Sequence, residues 1–334
     1  MACSVNFVWN YCNSTSMDKF RNSGKRLTDF ELNKLTSGCS KELGISSVTI
    51  QSICKEYVYR RNNNKKKIKL NWRSSKRSLG WIPIKSNGFM IENDIIIYCN
   101  YKFRFWKSQD IIGNIKTANF SQDAKRHWYI NIQCEIDKID AQKTGKYIGI
   151  DLGLKTIATG SNGHKFSRDN ITRLYENKLG IAQRAGKKRQ VTNIHATIRN
   201  KRLDWAQKTT TNIVNNYDLI VVGDICPSKI NKTNLAKSVN DAGWYQFKSL
   251  LAYKAIRLGK EYKEVRENFS TVTCSVCLNK TGLSGLSNLG VREWKCDVCG
   301  TYHDRDINAA INILRFGHES PKGIHLHKLV EDVK

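Results

Sequence analysis

The sequence predicts a multidomain α/β protein in which a helical segment and a small β domain precede an α/β domain with an inserted four-cysteine module. Three observations carry that expectation. Apolar residues recur at helix-like intervals over residues 1–60, and short aromatic and β-branched runs follow over 79–136. Beyond Gly145, buried apolar strands alternate with long helical stretches, and two Cys-x-x-Cys pairs interrupt that alternation.

Composition sets the bounds. The 334 residues carry 56 Lys and Arg against 29 Asp and Glu, a formal net charge of +27. Such a length buries a sizeable core and suits two or three domains. Hydrophobic residues at 40%, with 10% aromatics, exclude wholesale disorder. No apolar run approaches the ~18–20 residues of a membrane span, and the start Met1-Ala-Cys-Ser-Val-Asn6 is not a signal peptide. A chain this basic repels itself unless it binds a polyanion, and nucleic acid is the usual source. A membrane-surface role would concentrate the charge on one amphipathic helix, whereas here it is spread along the chain.

Taken in order, Phe30, Leu32 and Leu35, then Val48, Ile50, Ile53, Cys54 and Tyr57, mark helices with Ser and Thr at cap positions. Residues 55–77 hold ten Lys/Arg and one acid around Trp72. Strands are expected over 79–84, 95–98, 103–106 and 128–134, forming a curved antiparallel sheet or barrel. Lys146 to Asp151 reads as a buried strand ending in a carboxylate, with 156–159 as its hairpin partner. Residues 171–216 read as one or two long helices, and 178–202 contain eight Lys/Arg and no acid. Asp218-Leu-Ile-Val-Val222 is a second buried strand, followed by a loop at Gly223-Asp224 and a helix through Trp244, Phe247, Leu250 and Leu251. Residues 262–265 form a third strand. A partly parallel sheet results, and such sheets gather chemistry at the carboxyl ends of their strands.

The eleven cysteines are odd in number and unevenly spaced, which argues against a secreted disulfide framework. Cys3, Cys12, Cys39, Cys54, Cys99, Cys134 and Cys226 lie among apolar neighbours and read as small buried hydrophobes. They suit a reducing compartment, cytoplasmic in a prokaryote or nuclear in a eukaryote. The remaining four are spaced Cys274-x₂-Cys277-x₁₈-Cys296-x₂-Cys299, two knuckles that present thiolates to one tetrahedral zinc ion. A closed Cys₄ site leaves no open coordination position, so this Zn²⁺ is expected to be structural.

Acids punctuate the α/β part. Asp151 ends a strand in Gly149-Ile-Asp-Leu-Gly153, and Asp304 and Asp306 open a helix in His303-Asp-Arg-Asp-Ile-Asn-Ala-Ala-Ile-Asn312. Two-Mg²⁺ phosphodiester hydrolysis needs carboxylates from separate elements to converge, because hard divalent ions take oxygen ligands. Asp304 also suits the cap of its helix. Asp304 and Asp306 are two residues apart and cannot share a helix face, so one of them is the expected ligand.

Basic clusters are the third signal. Lys65, Lys66, Lys67, Lys69, Arg73, Lys76 and Arg77 flank Trp72, and Lys102, Arg104 and Lys107 interleave Tyr101, Phe103, Phe105 and Trp106. Lys187, Lys188 and Arg189 belong to the acid-free helix. One such run is ordinarily a solvated face. Three in a chain of this charge suit phosphate neutralisation with aromatic stacking on bases.

Together these motifs resemble TnpB proteins, transposon-encoded RNA-guided DNA nucleases related to Fanzor proteins and type V CRISPR effectors. The resemblance is carried by Gly149-Ile-Asp-Leu-Gly-Leu-Lys155, the cysteine ribbon and Asp304-Arg-Asp-Ile-Asn-Ala-Ala-Ile-Asn312 in that order. Lys76-Arg-Ser-Leu-Gly-Trp81 and Leu235-Ala-Lys-Ser-Val-Asn-Asp-Ala-Gly-Trp244 add to it. It implies a helical recognition segment over 1–75 and a wedge-like β domain over 76–144. A RuvC-like domain of RNase H fold would occupy 145–270 and 303–316, interrupted by the zinc ribbon at 271–302 and followed by a tail over 317–334. It further implies a guide RNA transcribed from the transposon end, and Mg²⁺-dependent cleavage of double-stranded DNA beside a short adjacent motif.

Two departures matter. Most of the family ends the second buried strand in Glu-Asp, the Glu being a metal ligand, whereas this chain reads Val221-Val-Gly223-Asp224. Some members, Fanzors among them, carry Gly or Pro there and use a later Glu. The matching acid is Glu267, in Val265-Arg-Glu-Asn-Phe-Ser-Thr271. The resemblance therefore implies Asp151, Glu267 and Asp306 as the catalytic ligands, with Asp224 and Asp304 as further candidates and Glu264 set aside because it lies within its strand. The family usually also has a β segment before its first helices, so the β domain is expected to lack a strand. A centre broken at Gly223 would leave a nuclease-dead RNA-guided DNA-binding repressor. The third reading is a DDE-type transposase, against which the Cys₄ insertion between the last two acidic positions speaks.

Overall fold

The computed structural model describes residues 1–64, 70–85, 88–137, 143–225, 242–282 and 290–319. The chain divides into two compact units, Met1–Asp137 and Lys138–Lys334.

The first unit joins helices and strands in one core. Helices α1 (Ala2–Ser23), α2 (Asp29–Leu35), α3 (Ser40–Leu43) and α4 (Ser47–Asn63) precede strands β1 (Trp81–Lys85), β2 (Met90–Glu92), β3 (Ile95–Tyr98), β4 (Tyr101–Arg104), β5 (Asn114–Gln122) and β6 (Trp128–Glu135). The strands form two antiparallel three-stranded sheets, ordered β1-β5-β6 and β2-β3-β4. Val5, Val8, Trp9 and Cys12 of α1 pack with Ile50, Ile53, Cys54 and Tyr57 of α4, and the same core takes Ile82, Ile84, Ile96 and Phe120 from the strands. Spacings of three and four turn those residues to one side of each helix. Thr28 and Glu31 form a reciprocal capping box that starts α2.

Two strands escape the sequence pattern. In β5 only Ile115, Ala118 and Phe120 are apolar, and β2 is three residues long, so neither shows a firm alternation. The strand expected over 103–106 is shifted to Tyr101–Arg104, leaving Trp106 outside it. Cys3 is exposed rather than buried, while Cys12 and Cys54 are buried as expected. Cys226 lies outside the described residues.

The second unit is built on a five-stranded sheet ordered β11-β10-β7-β8-β9. Its strands are β7 (Tyr147–Leu152), β8 (Ala158–Gly160), β9 (Lys165–Phe166), β10 (Leu219–Gly223) and β11 (Glu261–Val265). The first three form an antiparallel meander, and β10 lies parallel to both β7 and β11. Helices α5 (Ile171–Arg184) and α6 (Lys188–Asn216) follow β9, and α7 (Trp244–Arg257) separates β10 from β11. The chain then forms the hairpin of β12 (Glu293–Lys295) and β13 (Tyr302–Asp304) and ends its described part in α8 (Arg305–Glu319).

Both faces of this sheet are covered, which is why β10 is buried along its whole length. Ile148, Ile150, Ile220 and Val222 pack against Ile213, Val214, Trp244, Phe247 and Leu251 of α6 and α7. The alternate residues Leu219, Val221 and Val265 pack against Ile313 of α8. A Cβ added to Gly149 would collide with the Ala310 carbonyl and Leu314, so α8 crosses β7 almost backbone to backbone.

Candidate metal centre and nucleic-acid surfaces

The two-residue period of the strands decides which acids meet. Since Ile148 and Ile150 face α6 and α7, Asp151 faces α8. Gly223 shares the α8 side with Leu219 and Val221, and Ile313 lies 3.3 Å from where its Cβ would be. Glu264 has the opposite parity: it accepts from Lys248 Nζ of α7 at 2.8 Å and from the Tyr262 hydroxyl at 2.9 Å. Glu267 lies two residues beyond β11 and turns back over Gly223, its Oε2 2.5 Å from the position of an added Cβ. Asp306 comes from the first turn of α8, on the same side.

The gathered charge is visible in the acids themselves. Burial, followed by the charges of Glu267 and Asp306, pushes the Asp151 carboxyl well above the usual carboxylate range. Burial and the neighbouring Asp224 raise Glu267 to about 7. Asp224 is tied back into the sheet end, its N–H donating to Val265 O at 2.9 Å and its Oδ1 accepting from Glu267 N at 3.3 Å. Glu267 and Asp306 thus come near enough to burden Asp151, and carboxylate oxygens are the donors that hard divalent cations such as Mg²⁺ take.

Asp304 has a different task. Its Oδ1 accepts from Asp306 N at 2.9 Å and Ile307 N at 3.1 Å, the geometry of a helix N-cap, and its Oδ2 accepts from Lys165 Nζ of β9 at 2.6 Å. These donors outweigh burial and lower its carboxyl pKa. Asp306 instead accepts from Arg292 Nη1, at 3.0 and 3.2 Å.

The four cysteines form the tightest ligand set among the described residues. Their Sγ atoms all lie within 4.8 Å of one another, with Cys274–Cys299 at 3.6 Å and Cys277–Cys296 at 3.5 Å. Zn–S bonds of about 2.3 Å in a tetrahedron require Sγ separations of roughly 3.8 Å, so the set fits zinc. The Thr281 hydroxyl donates to Cys296 Sγ at 3.2 Å and leads the effects that bring that thiol down to about 6. Burial pushes Cys274 up to about 11.

Three residues with no role assigned from sequence join this module to α8. Asn308 and Asn312 each donate through Nδ2 to the carbonyls of Ser270 and Thr273, at 2.7–3.2 Å. Asn308 Oδ1 also accepts from Ser275 N at 2.8 Å. His303 Nε2 lies 3.0 Å from Cys274 Sγ, and its ring packs on Trp294 with centroids 4.7 Å apart. The i, i+4 spacing of the asparagines on an apolar helix was the available signal, whereas nothing in the sequence distinguishes His303.

The basic residues divide in use. Lys65, Lys66, Lys67 and Lys69 lie outside the described residues. Trp72, Lys76 and Arg77 are exposed, as are Lys102, Arg104, Lys107, Lys187, Lys188 and Arg189. Arg104 pairs with Asp94 at 3.1 Å and Lys107 with Asp110 at 2.8 Å. Arg73 departs from the expected surface role. Its Nε donates to Asn6 Oδ1 at 2.7 Å, its Nη2 donates to Leu79 O at 2.8 Å, and its guanidinium lies over the rings of Trp9 and Trp81. Asn10 and Asn13 hold the backbone of Leu70 and Arg73 along α1, which explains why the guanidinium turns inward.

The resemblance to TnpB-like proteins is found in whole-sequence comparison as well. Residues 131–233 match the family model described as "Probable transposase", and residues 244–313 match "Cas12f1-like, TNB domain". A protein of Streptomyces pristinaespiralis named "Putative RNA-guided DNA endonuclease" is 34% identical over 215 residues, covering 60% of this chain and 52% of that protein. "TnpB-like protein L770" of Acanthamoeba polyphaga mimivirus is 28% identical over 240 residues, covering 63% of this chain and 45% of that protein. The chain thus spans about half the length of these relatives. A solved structure, the Cas12f1–sgRNA–target DNA complex, shares the fold over 93% of this chain and 81% of that one, with a TM-score of 0.59 and 14% identity. No described helix is long and apolar enough to cross a membrane.

Proposed function

We propose that the chain is an RNA-guided DNA endonuclease whose centre is RuvC-like, with Asp151, Glu267 and Asp306 as its metal-holding carboxylates. One observation carries the reading: β7, the turn after β11 and the start of α8 bring acids to the same side of the sheet, where Glu267 and Asp306 both burden the buried Asp151. An antiparallel meander beside two parallel strands supports an RNase H-type fold. When bound there, Mg²⁺ would activate water and neutralise charge on the scissile phosphate. Asp151, Glu267 and Asp306 would each meet it as a carboxylate, and its charge would offset the burial that raises the Asp151 and Glu267 carboxyls. The cysteine module would hold Zn²⁺ and fix the chain entering α8. Exposed Lys and Arg would hold guide RNA and the RNA–DNA duplex through their backbones, leaving sequence choice to base pairing.

The test uses the purified full chain with its co-purifying RNA, offered a plasmid library bearing the matching target in Mg²⁺ or in EDTA. Cutting beside one short motif in Mg²⁺ alone, lost in Asp151→Ala, Glu267→Ala and Asp306→Ala, is expected. Target bound but left intact by the unaltered chain would overturn the nuclease reading and leave a DNA-binding repressor.

A further inference from the structure

The first unit contains a cavity of about 470 Å³ between β4 and β6, a size that suits a small ring system. It is lined by Tyr101, Phe103, Phe105, Trp128 and Tyr129, by Arg104, and by apolar residues that include Met1, Ile82 and Phe120. This is not a sealed core. Tyr101 is 58% exposed, Trp128 47% and Tyr129 49%. Trp128 is nonetheless fixed: its indole lies over Gly80 so closely that any Cβ there would collide with the ring. Gly80 is itself tied to β5, its N–H donating to Gln122 Oε1 and its carbonyl accepting from Gln122 N.

Basic residues from two separate segments neighbour the residues that line this cavity. Arg104, which also pairs with Asp94, lines it from β4, and Lys102 and Lys107 are exposed beside it in sequence, Lys107 pairing with Asp110. On the β6 side, Arg126 donates to the carbonyls of Lys76 and Ser78, which brings the exposed Lys76 and Arg77 beside the hairpin that carries Trp128. The walls are aromatic and the surroundings cationic. Planar π faces with nearby phosphate-binding groups are the chemistry of an unpaired nucleotide, since bases stack on aromatic rings while Lys and Arg take the backbone.

We propose that this cavity is a stacking site for an unpaired base of single-stranded RNA, with Trp128 as the fixed platform and Tyr101 and Tyr129, the latter held by its hydroxyl to Asp123, as further walls. The inference rests on the nucleic-acid reading above, but it fails or stands separately from the nuclease centre, because its readout is oligonucleotide binding.

The full chain, freed of bound RNA by high salt, is titrated with a 12-nucleotide single-stranded RNA containing 2-aminopurine and with a 12-base-pair RNA duplex. Tyr101→Ala and Tyr129→Ala are each expected to weaken single-strand binding about tenfold and to abolish the stacking-induced quench. Duplex affinity should hold, and Tyr101→Phe and Tyr129→Phe should keep single-strand affinity. Lys102→Ala with Lys107→Ala should weaken both ligands and flatten the salt dependence. Unchanged single-strand affinity in the alanine variants, or an equal loss on duplex, overturns the proposal. So does an apolar dye that stays in the cavity at saturating RNA, since the occupant would then be a peptide or another apolar group. Stacking without DNA cleavage would sink the nuclease reading alone.

Discussion

Glu267 fills the space that a side chain at position 223 would need. A Cβ added to Gly223 would stand 2.5 Å from Glu267 Oε2 and 3.3 Å from Glu267 Cβ. Side chains at positions 223 and 267 would therefore compete for one space at the end of the sheet, reached from β10 or from the turn after β11. Glu267→Ala is expected to lower target cleavage roughly a hundredfold or more, since a metal ligand supplies several kcal/mol to the transition state. Replacing the pair together, Gly223→Glu with Glu267→Gly, should recover part of that loss. A double variant as inactive as Glu267→Ala would refute the exchange.

Gly223→Ala probes the same contact from the other side. The nearest obstacle is the flexible end of Glu267, which can swing away, so stability should fall by only about 1 kcal/mol. Cleavage should fall far more than the melting temperature implies, because the carboxylate is what moves. Parallel losses in both would mean that the residue matters for packing alone.

How much of this was legible beforehand follows from which forces act locally. Asp151 is readable because an apolar run buried on both faces ends in an acid, and the cysteine spacing is readable because a tetrahedral site imposes it. The parity that turns Asp151 toward α8 and Glu264 toward α7 is also written in the strand period, once the strands are placed. Glu267 is different. It stands outside its strand, and only the resemblance pointed to it before the backbone turned it over Gly223. Arg73 reads as one more surface cation, and its inward turn depends on Asn6, 67 residues distant in sequence. The platform formed by Trp128 on Gly80 is equally non-local.

Acid sensitivity should centre on Asp218, away from the cysteines and the candidate carboxylate centre. Its carboxylate accepts from Thr144 N at 2.7 Å, Gly145 N at 2.7 Å and Lys260 Nζ at 2.6 Å. Burial acts to raise its pKa, but Lys260 and the amide donors outweigh that and hold it well below the ordinary value. A depressed carboxylate contributes stability that is complete above its unfolded pKa of about 3.9 and is lost as pH falls further. Asp218→Asn, which removes the carboxylate charge that accepts from Lys260 and two backbone amides, should destabilise the chain by roughly 1–3 kcal/mol at pH 7. In urea titrations the gap between the two proteins should narrow below pH 4. A constant gap from pH 7 to pH 3 would contradict the assignment.

Zinc removal should act on the start of α8 through β13. His303 bridges the cysteine set to the residues immediately before α8, and burial lowers its pKa, so the ring is neutral and its Nε2–H can donate to the Cys274 sulfur. His303→Ala is expected to cost about 10–100-fold in zinc affinity, read by competition with a chromophoric chelator. Affinity equal to that of the unaltered chain would reduce His303 to a packing partner of Trp294.

The two aspartates at the start of α8 give the sharpest separation of roles. Asp304 caps the helix and pairs with Lys165, and Asn retains the oxygen that accepts from Asp306 N and Ile307 N. Asp304→Asn should therefore change stability by less than about 1 kcal/mol and leave target cutting within a few-fold. Asp306 makes no cap bond and faces Asp151, with Arg292 as its only ion pair among the described residues. Asp306→Asn should abolish cutting while the melting temperature stays level or rises, because a charge that burdens the buried Asp151 has been removed. If Asp304→Asn is the inactive protein and Asp306→Asn cuts normally, the ligand is the capping residue and the triad must be redrawn.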